Sequence, residues 1–390
     1  MAAALTAPGS TAAGAPDLPG LTGGQDRAWR AALCGAPGPR WMHNLPGHWE
    51  LLDRTGELLA YVPPQRPPGD AEAAKALART TYVQSPYVGW CVYPGDELHH
   101  VPEARRRWAA RGLDLAGWLA RRWRLPEAIV LGGTGWSTTL HAPDLAAALP
   151  AVIDTARGRW PGSVLALRNI EPDRQPDLAQ AVRDTGGVLW PARVMHHYDG
   201  GQAPWQAHSA HREDLRLIRR KGLAARWTSR LPDGRHDTVL ELYRQVYLER
   251  HNPLNPQYTR QWLDTADAHG QLAWLGLHAA DDDRLLAFAA VHTRHGVMTV
   301  PMVGHDLAQP RDLGLYRQLC VHLFEAARQH GGLFNYSSGT GHFKRLRGSR
   351  PVLECTALWA PERSLARAPL WRGLERLAER ARGPLLAAPF

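Results

Sequence analysis

Lys344 stands in a stretch whose residue types can do chemistry. The run Leu333-Phe334-Asn335-Tyr336 is followed by Ser337-Ser338-Gly339-Thr340-Gly341-His342, and then by Phe343-Lys344-Arg345-Leu346-Arg347-Gly348. The spacing predicts a short strand, a glycine turn, one or two turns of basic helix, and a returning strand over 351–359. Gly339 and Gly341 let the backbone reverse with no Cβ in the way. Lys344, Arg345 and Arg347 sit beside the apolar anchors Phe343 and Leu346, a place to hold an acyl or phosphate group against cations. Acyl transfer to an amine needs a nucleophile, a donor ester or thioester within reach, and a charge that stabilises the tetrahedral intermediate. Lys344 is the candidate for that charge; the alternative is a solvated helix cation.

Other candidates surround it. His305 follows a predicted strand at its C-terminal end and is a candidate general base. Asp306 would orient it or hold an incoming amine, unless the pair is an idle surface turn. Asn335 and Tyr336 alternate on their strand, so one faces a cleft, and Ser337 shares the face of Asn335. Tyr316 opens a long helix, as a proton donor or as a core residue. Asn255 and Tyr258 lie in a stiff loop, 252–258, between two helices and suit acceptor selection. The sequence has neither the Gly-x-Ser-x-Gly elbow of a hydrolase nor a phosphate-binding Walker loop, which disfavours a triad hydrolase or an NTPase.

The elements that must position these groups follow from periodicity. Residues 223–229 read as a strand, 237–250 and 257–269 as helices, and 271–278, 284–292 and 295–303 as a three-strand meander. A helix over 315–329 places Leu315, Leu319, Leu323 and Ala326 on its buried side, and Gly331-Gly332 ends it. The first half carries the same order more weakly: strand 127–132, helix 144–159, strand 163–168, helix 176–185 and strand 187–196. A hairpin over 48–53 and 57–62 turns at Arg54-Thr55-Gly56.

This order resembles the GNAT acyltransferase superfamily over residues 205–360. The Phe343-Lys344-x-x-x-Gly348 turn looks like its Fem-type branch, whose best-known members use aminoacyl-tRNA. The basic segment 214–222 is similar to the one that opens the second unit in Fem-like proteins. The resemblance implies an α/β chain of two tandem GNAT-like units, each a mixed, mostly antiparallel sheet flanked by helices. A non-catalytic unit is expected over 25–198 and a catalytic one over 205–360, with a leader at 1–24, a helical tail at 361–390, and a linker at 198–204. It implies an N-acyltransferase that moves an acyl group from acyl-CoA or a carrier-protein thioester to the amine of a small metabolite. Aminoacyl-tRNA is the alternative co-substrate, and a degenerate RNA-binding module the third reading. Lys344 matches the Fem-type lysine, and Tyr316 takes a place where GNAT enzymes often protonate a leaving thiolate. Arg311, Gly314, Arg345 and Arg347 are expected to bind the donor, and Asn335, Ser337, Asp306, Tyr258 and Asn255 the acceptor. One departure stands out. The usual pyrophosphate loop appears as Gln309-Pro310-Arg311-Asp312-Leu313-Gly314, where only Gly314 matches and Asp312 repels a phosphate. Helix N-terminal amides would still favour an anion there.

The chain has 390 residues, 44% of them hydrophobic, enough for two cores. Its net charge of +9 is mostly arginine, clustered at 105–107, 121–124, 216–221 and 344–350. Such clusters suit phosphate contact, and tRNA is a candidate partner. No run of about 18 apolar residues is present, so neither a membrane span nor a membrane partner is expected. The 1–24 segment lacks the charged start of a secretory signal. With four cysteines in no paired spacing, a reducing cytoplasm is the expected compartment. No metal signature and no permanently bound cofactor are expected. Trp108, Trp118 and Trp123 share an arginine-rich helix, read first as a core stripe and second as a base-stacking surface. Residues 85–90 form a rigid aromatic segment, placed either on an acceptor site or over the first core. Segment 168–174 is expected to be silent and to wall the acceptor pocket.

Overall fold

A computed structural model describes residues 23–52, 58–65 and 70–361, together with the helical positions Gly373 and Arg376. Residues 1–22 of the expected leader, the turn at 53–57 and nearly all of the expected tail lie outside the described residues. In chain order the elements are α1 (Gly23–Cys34), β1 (His48–Leu51), β2 (Leu59–Val62), α2 (Ala71–Ala78), α3 (Tyr93–Asp96) and α4 (Glu103–Arg122). Then come β3 (Ile129–Leu131), α5 (Leu145–Arg159), β4 (Leu165–Ile170), α6 (Pro176–Asp184) and β5 (Val188–Asp199). The second half continues with α7 (Ser209–Lys221), β6 (Ala224–Thr228), α8 (His236–Tyr243), α9 (Arg260–Ala268), β7 (Ala273–His278), β8 (Leu285–Arg294) and β9 (Val297–His305). It closes with α10 (Leu315–His330), β10 (Leu333–Asn335), α11 (Gly341–Arg345) and β11 (Arg350–Trp359). The strand–helix order read from periodicity is present in both halves.

The two halves do not keep separate sheets. All eleven strands join in one sheet of order β1-β2-β3-β4-β11-β5-β10-β9-β8-β7-β6. The last strand, β11, lies antiparallel between β4 and β5 of the first half, while β5 pairs antiparallel with β10 of the second. Period-2 patterning shows which face a strand buries but not which strand it pairs with. β5 is long enough to serve both neighbours: its residues 188–197 face β11 and 197–199 face β10. The expected linker therefore begins inside a strand, turns at Gly200-Gly201, and continues into a 3-10 turn at Pro204–Ala207.

The seam is held by charge as well as by the ladder. Glu354 of β11 is 1% exposed and accepts from Arg193 of β5 at 2.9 and 3.0 Å and from Asn169 of β4 at 2.8 Å. An aromatic core crosses between halves. Trp262 of α9 meets Trp29 of α1 at 4.8 Å, Trp136 at 4.9 Å and Tyr258 at 5.4 Å between ring centroids. Trp108 and Trp118 of α4 take no part: they are 72% and 57% exposed, which overturns the core-stripe expectation for these two, whereas Trp123, just past the helix, is half-buried against the core. The buried side of α4 is built instead from Gly117 and Ala120.

Candidate functional site

β9 and β10 are the one parallel pair in the second half, and they stay together only briefly. Val297, Met298 and Thr299 pair with Leu333, Phe334 and Asn335, after which the strands part. Pro301 lies just past the split and has no N–H to offer a neighbour. The β8–β9 register shifts beside it, between Ala290 and His292. Beyond Asn335 the chain leaves the sheet through a turn with positive φ at Ser337, Gly339 and Thr340. Parallel strands that diverge leave unpaired backbone facing a gap, and here the gap is a cleft of about 660 Å³.

Both halves wall the cleft. Val300, Pro301, Val303 and His305 come from β9, and Tyr336 to Thr340 with Lys344 from the turn and α11. Pro86, Gly89, Trp90, Tyr93, Arg168 and Arg193 come from the first half. Tyr243, Tyr247, Arg250, Asn255 and Tyr258 close it from the segment around α8. Arg168, Arg193, Arg250 and Lys344 are cationic, seven lining residues are tyrosines, and no aspartate or glutamate is among the described lining residues.

Lys344 is 2% exposed. Its ammonium donates to the carbonyls of Tyr336 at 2.5 Å, Ser337 at 3.2 Å and Ser338 at 2.8 Å, and lies 4.8 Å from the Tyr336 ring centroid. An ammonium has three donors, so all are engaged in fixing the turn. Burial pushes its pKa down to about 7; the nearby Cys320 opposes that and Arg193 adds to it. Lys344 is therefore neither a solvated cation nor part of an exposed basic face.

His305 lines the cleft with a buried Nδ1 that has no partner among the described residues. Burial, with Arg250 nearby, holds its pKa below the ordinary histidine value, so the ring is neutral near pH 7 and can accept a proton. Asp306 points to its own turn instead, accepting from Ala308 N, Gln309 and Arg284. Tyr316 and Tyr336 both line the cleft, their rings stacked at 6.3 Å. Burial raises both pKa values well above 10, so each keeps its proton. The Tyr336 hydroxyl meets Cys320 Sγ at 3.1 Å.

The structure gathers Lys344, His305, Tyr336, Tyr316, Ser337, Asn255 and Tyr258 into one cleft. Asn255 binds the carbonyls of Tyr247 and Asn252, and the Tyr258 hydroxyl donates to Gly135 O, so both brace the wall they line. Asn335 faces elsewhere, donating to Glu171 in a second cavity of about 290 Å³. That cavity also takes Asn169, Glu171 and Arg174, so segment 168–174 is split between two spaces.

The expected donor residues lie outside the cleft lining. Arg347 is buried: it donates to Asp214 at 2.7 Å and Phe343 O at 2.9 Å, with its guanidinium 3.5 Å from the Phe343 ring centroid. Arg345 is half-buried on α11, and Arg311 is exposed in the turn before α10. Gly314 has φ +62° and is packed so closely that a Cβ would sit 2.5 Å from Leu217 Cδ2. Helix α7 lies across this end of α10. Arg317 donates to Asp214 at 2.6 Å, Gln318 donates to Leu313 O and Lys221 O, and Lys221 pairs with Asp312. Sequence reasoning missed Arg193, Tyr82 and Tyr247, whereas Arg168 belongs to the segment expected to wall the pocket and lines this cleft. The missed residues lie in elements distant in the chain, and Arg193 comes here on β5, the strand that pairs with β11.

Residues 209–345 match a family described as an acetyltransferase (GNAT) domain. The fold is similar to that of L-PGS from Bacillus licheniformis, at 11% identity, covering 92% of this chain and 98% of that one with a TM-score of 0.50. It is also similar to FemX, at 11% identity over 61% of this chain and 81% of that one, TM-score 0.45. A tandem GNAT protein from the clavulanic acid biosynthesis pathway shares 13% identity over 59% of this chain and 75% of that one, TM-score 0.34. No curated protein matches the sequence.

Proposed function

We propose that this chain, an acyltransferase whose second half is a GNAT domain, moves an aminoacyl group from the 3′ ester of an aminoacyl-tRNA to the amine of a small anionic acceptor. One observation carries the choice of donor: α7 covers the start of α10, where a GNAT enzyme would seat the pyrophosphate of coenzyme A. An anion approaching those amides meets Leu217 packed on Gly314. The cleft itself remains open to a ligand. Its cations and the lack of a lining carboxylate favour a substrate with negative charge and disfavour a purely cationic amine.

The acceptor nitrogen attacks the ester carbonyl carbon and gives up a proton, for which the neutral, unpartnered His305 imidazole is the acceptor. The carbonyl oxygen gains negative charge as the C–N bond forms. The C–O bond then breaks, and its electron pair leaves on the 3′ oxygen of the tRNA. Tyr316 retains its proton at neutral pH and supplies it to that oxygen. Lys344 works through position: its bonds fix the turn at 336–338, and its charge biases the cleft without a free N–H for the oxyanion.

A second reading keeps a thioester donor, favoured by the match of 209–345 to an acetyltransferase domain. Incubation with a panel of acyl-CoAs, and separately with charged total tRNA with and without RNase, separates the two. Acceptor acylation abolished by RNase supports the tRNA reading; acylation that survives RNase and releases a thiol overturns it.

A further inference from the structure

Helix α4 presents an unusual face to solvent. Trp108, Leu115 and Trp118 are 72%, 59% and 57% exposed, among the most exposed large apolar side chains of the described residues. With Arg111 and Arg122 they fall at i, i+3, i+7, i+10 and i+14, so they form one stripe along the helix. The Arg111 guanidinium lies 5.5 Å from the Trp108 ring centroid. Across its length α4 carries six arginines against two carboxylates, Glu103 and Asp114. Its opposite side is fixed to the protein: Gly117 and Ala120 are buried, and Arg121 donates to the Tyr87 hydroxyl at 2.8 Å.

We propose that α4 is an interfacial helix that docks the protein on an anionic lipid bilayer. Indoles flanking an exposed leucine, surrounded by arginine, match the boundary between acyl chains and headgroups. There the ring body is apolar, its N–H meets polar groups, and the guanidinium groups meet lipid phosphates. Three features set other occupants aside. Single-stranded nucleic acid is stacked in basic grooves, whereas this stripe lies on a convex helix and centres on a leucine, which has no ring to stack. A second copy would bring an equally arginine-rich face against this one, and like charges repel. No helix among the described residues is long and apolar enough to cross a membrane, so the attachment is peripheral. The helix packs on the turn at Val88–Val92, and Trp90 and Tyr93 of that region line the cleft. Docking along α4 would therefore hold the cleft close to the lipid surface. The inference stands on the helix alone and does not depend on which donor the cleft uses.

The test is sedimentation of the full chain with vesicles of phosphatidylcholine alone or mixed with phosphatidylserine, beside gel filtration and binding to single-stranded RNA. The expected result is binding to the mixed vesicles that weakens with salt and falls at least tenfold in Trp108→Ser/Trp118→Ser. Arg105→Gln/Arg111→Gln should weaken it while flattening its salt dependence. Both pairs are exposed, and an unchanged melting curve verifies that the variants fold. Absence of vesicle binding by the wild type, or equal binding by the tryptophan variant, overturns the proposal. So does a dimer, or an RNA complex without vesicle binding, that the tryptophan variant abolishes.

Discussion

Replacing Lys344 with methionine removes an ammonium and keeps most of the stem. Burial lowers its pKa from 10.5 to about 7, so the fold disfavours the charged form, while its nitrogen satisfies three backbone carbonyls. Methionine escapes the desolvation cost but leaves those carbonyls without their donor, and each buried acceptor left unsatisfied costs about 1–3 kcal/mol. Lys344→Met should therefore be less stable by about 1–3 kcal/mol or more. An exposed lysine would give about 0.5 kcal/mol or less, so a urea melt separates the buried ion from a surface charge. Catalysis should suffer more. Loss of a fixed charge beside the developing oxyanion, together with a loosened 336–338 turn, should lower turnover on the order of a hundredfold. The assay is acceptor acylation per folded molecule, under conditions where the melt shows the variant fully native. Wild-type turnover in that folded fraction, with the donor established, would refute the role in catalysis and leave Lys344 as a structural ion.

Further outcomes follow from the same geometry. His305→Ala should remove the acid limb of the rate profile; in the wild type, activity is lost as pH falls through a His305 pKa that lies below 6.5, because the base must be neutral. Asp214 is fully buried and pairs with the buried Arg347 and the part-exposed Arg317, so Asp214→Ala should cost about 3 kcal/mol in a urea melt, chiefly by stranding the Arg347 guanidinium. Burial pushes the Glu171 carboxyl up, but His197 and Arg174 outweigh it and hold the pKa below 4.5. Its contribution to stability is therefore full above the ordinary value and is lost as pH falls through the folded one. Glu171→Gln should flatten the acid side of a stability–pH curve.

Much of this architecture was legible because local signals and tertiary structure agree. Residues 315–329 repeat apolar side chains at helical spacing, and Leu315, Leu319, Leu323 and Ala326 are all buried. Gly331, with φ +71°, ends that helix where the Gly-Gly pair predicts. The Gly-rich turn and basic helix at 336–345 also stand where the spacing puts them. Pairing partners were not legible. Nothing in the run from Arg350 to Trp359 tells that it lies between β4 and β5, because alternation fixes a face and not a neighbour. The same limit hid Arg193. The donor set failed to converge for another reason: Arg347 and Gly314 are used in packing α7 and α11 against α10. Charge and glycine content alone do not distinguish a binding residue from a packing one. On α4, helical spacing read as a core stripe is in fact a solvent-facing stripe, since amphipathicity has no sign until the partner surface is known.

The place of β11 has a consequence for how the chain is made. β4 and β5 are complete once residue 199 has been synthesised, yet they cannot pair with each other, because the strand that belongs between them ends at residue 359. The first half thus waits with β4 open on one edge and β5 on both while some 150 further residues emerge, at a rate of about 5–20 residues per second. During those seconds β4, β5 and the apolar residues beneath them are available to other strands. The nascent chain therefore depends on shielding of those edges until its last strand arrives. Cutting the gene between the halves should not yield two folded proteins, since each half would lack a strand that the other supplies.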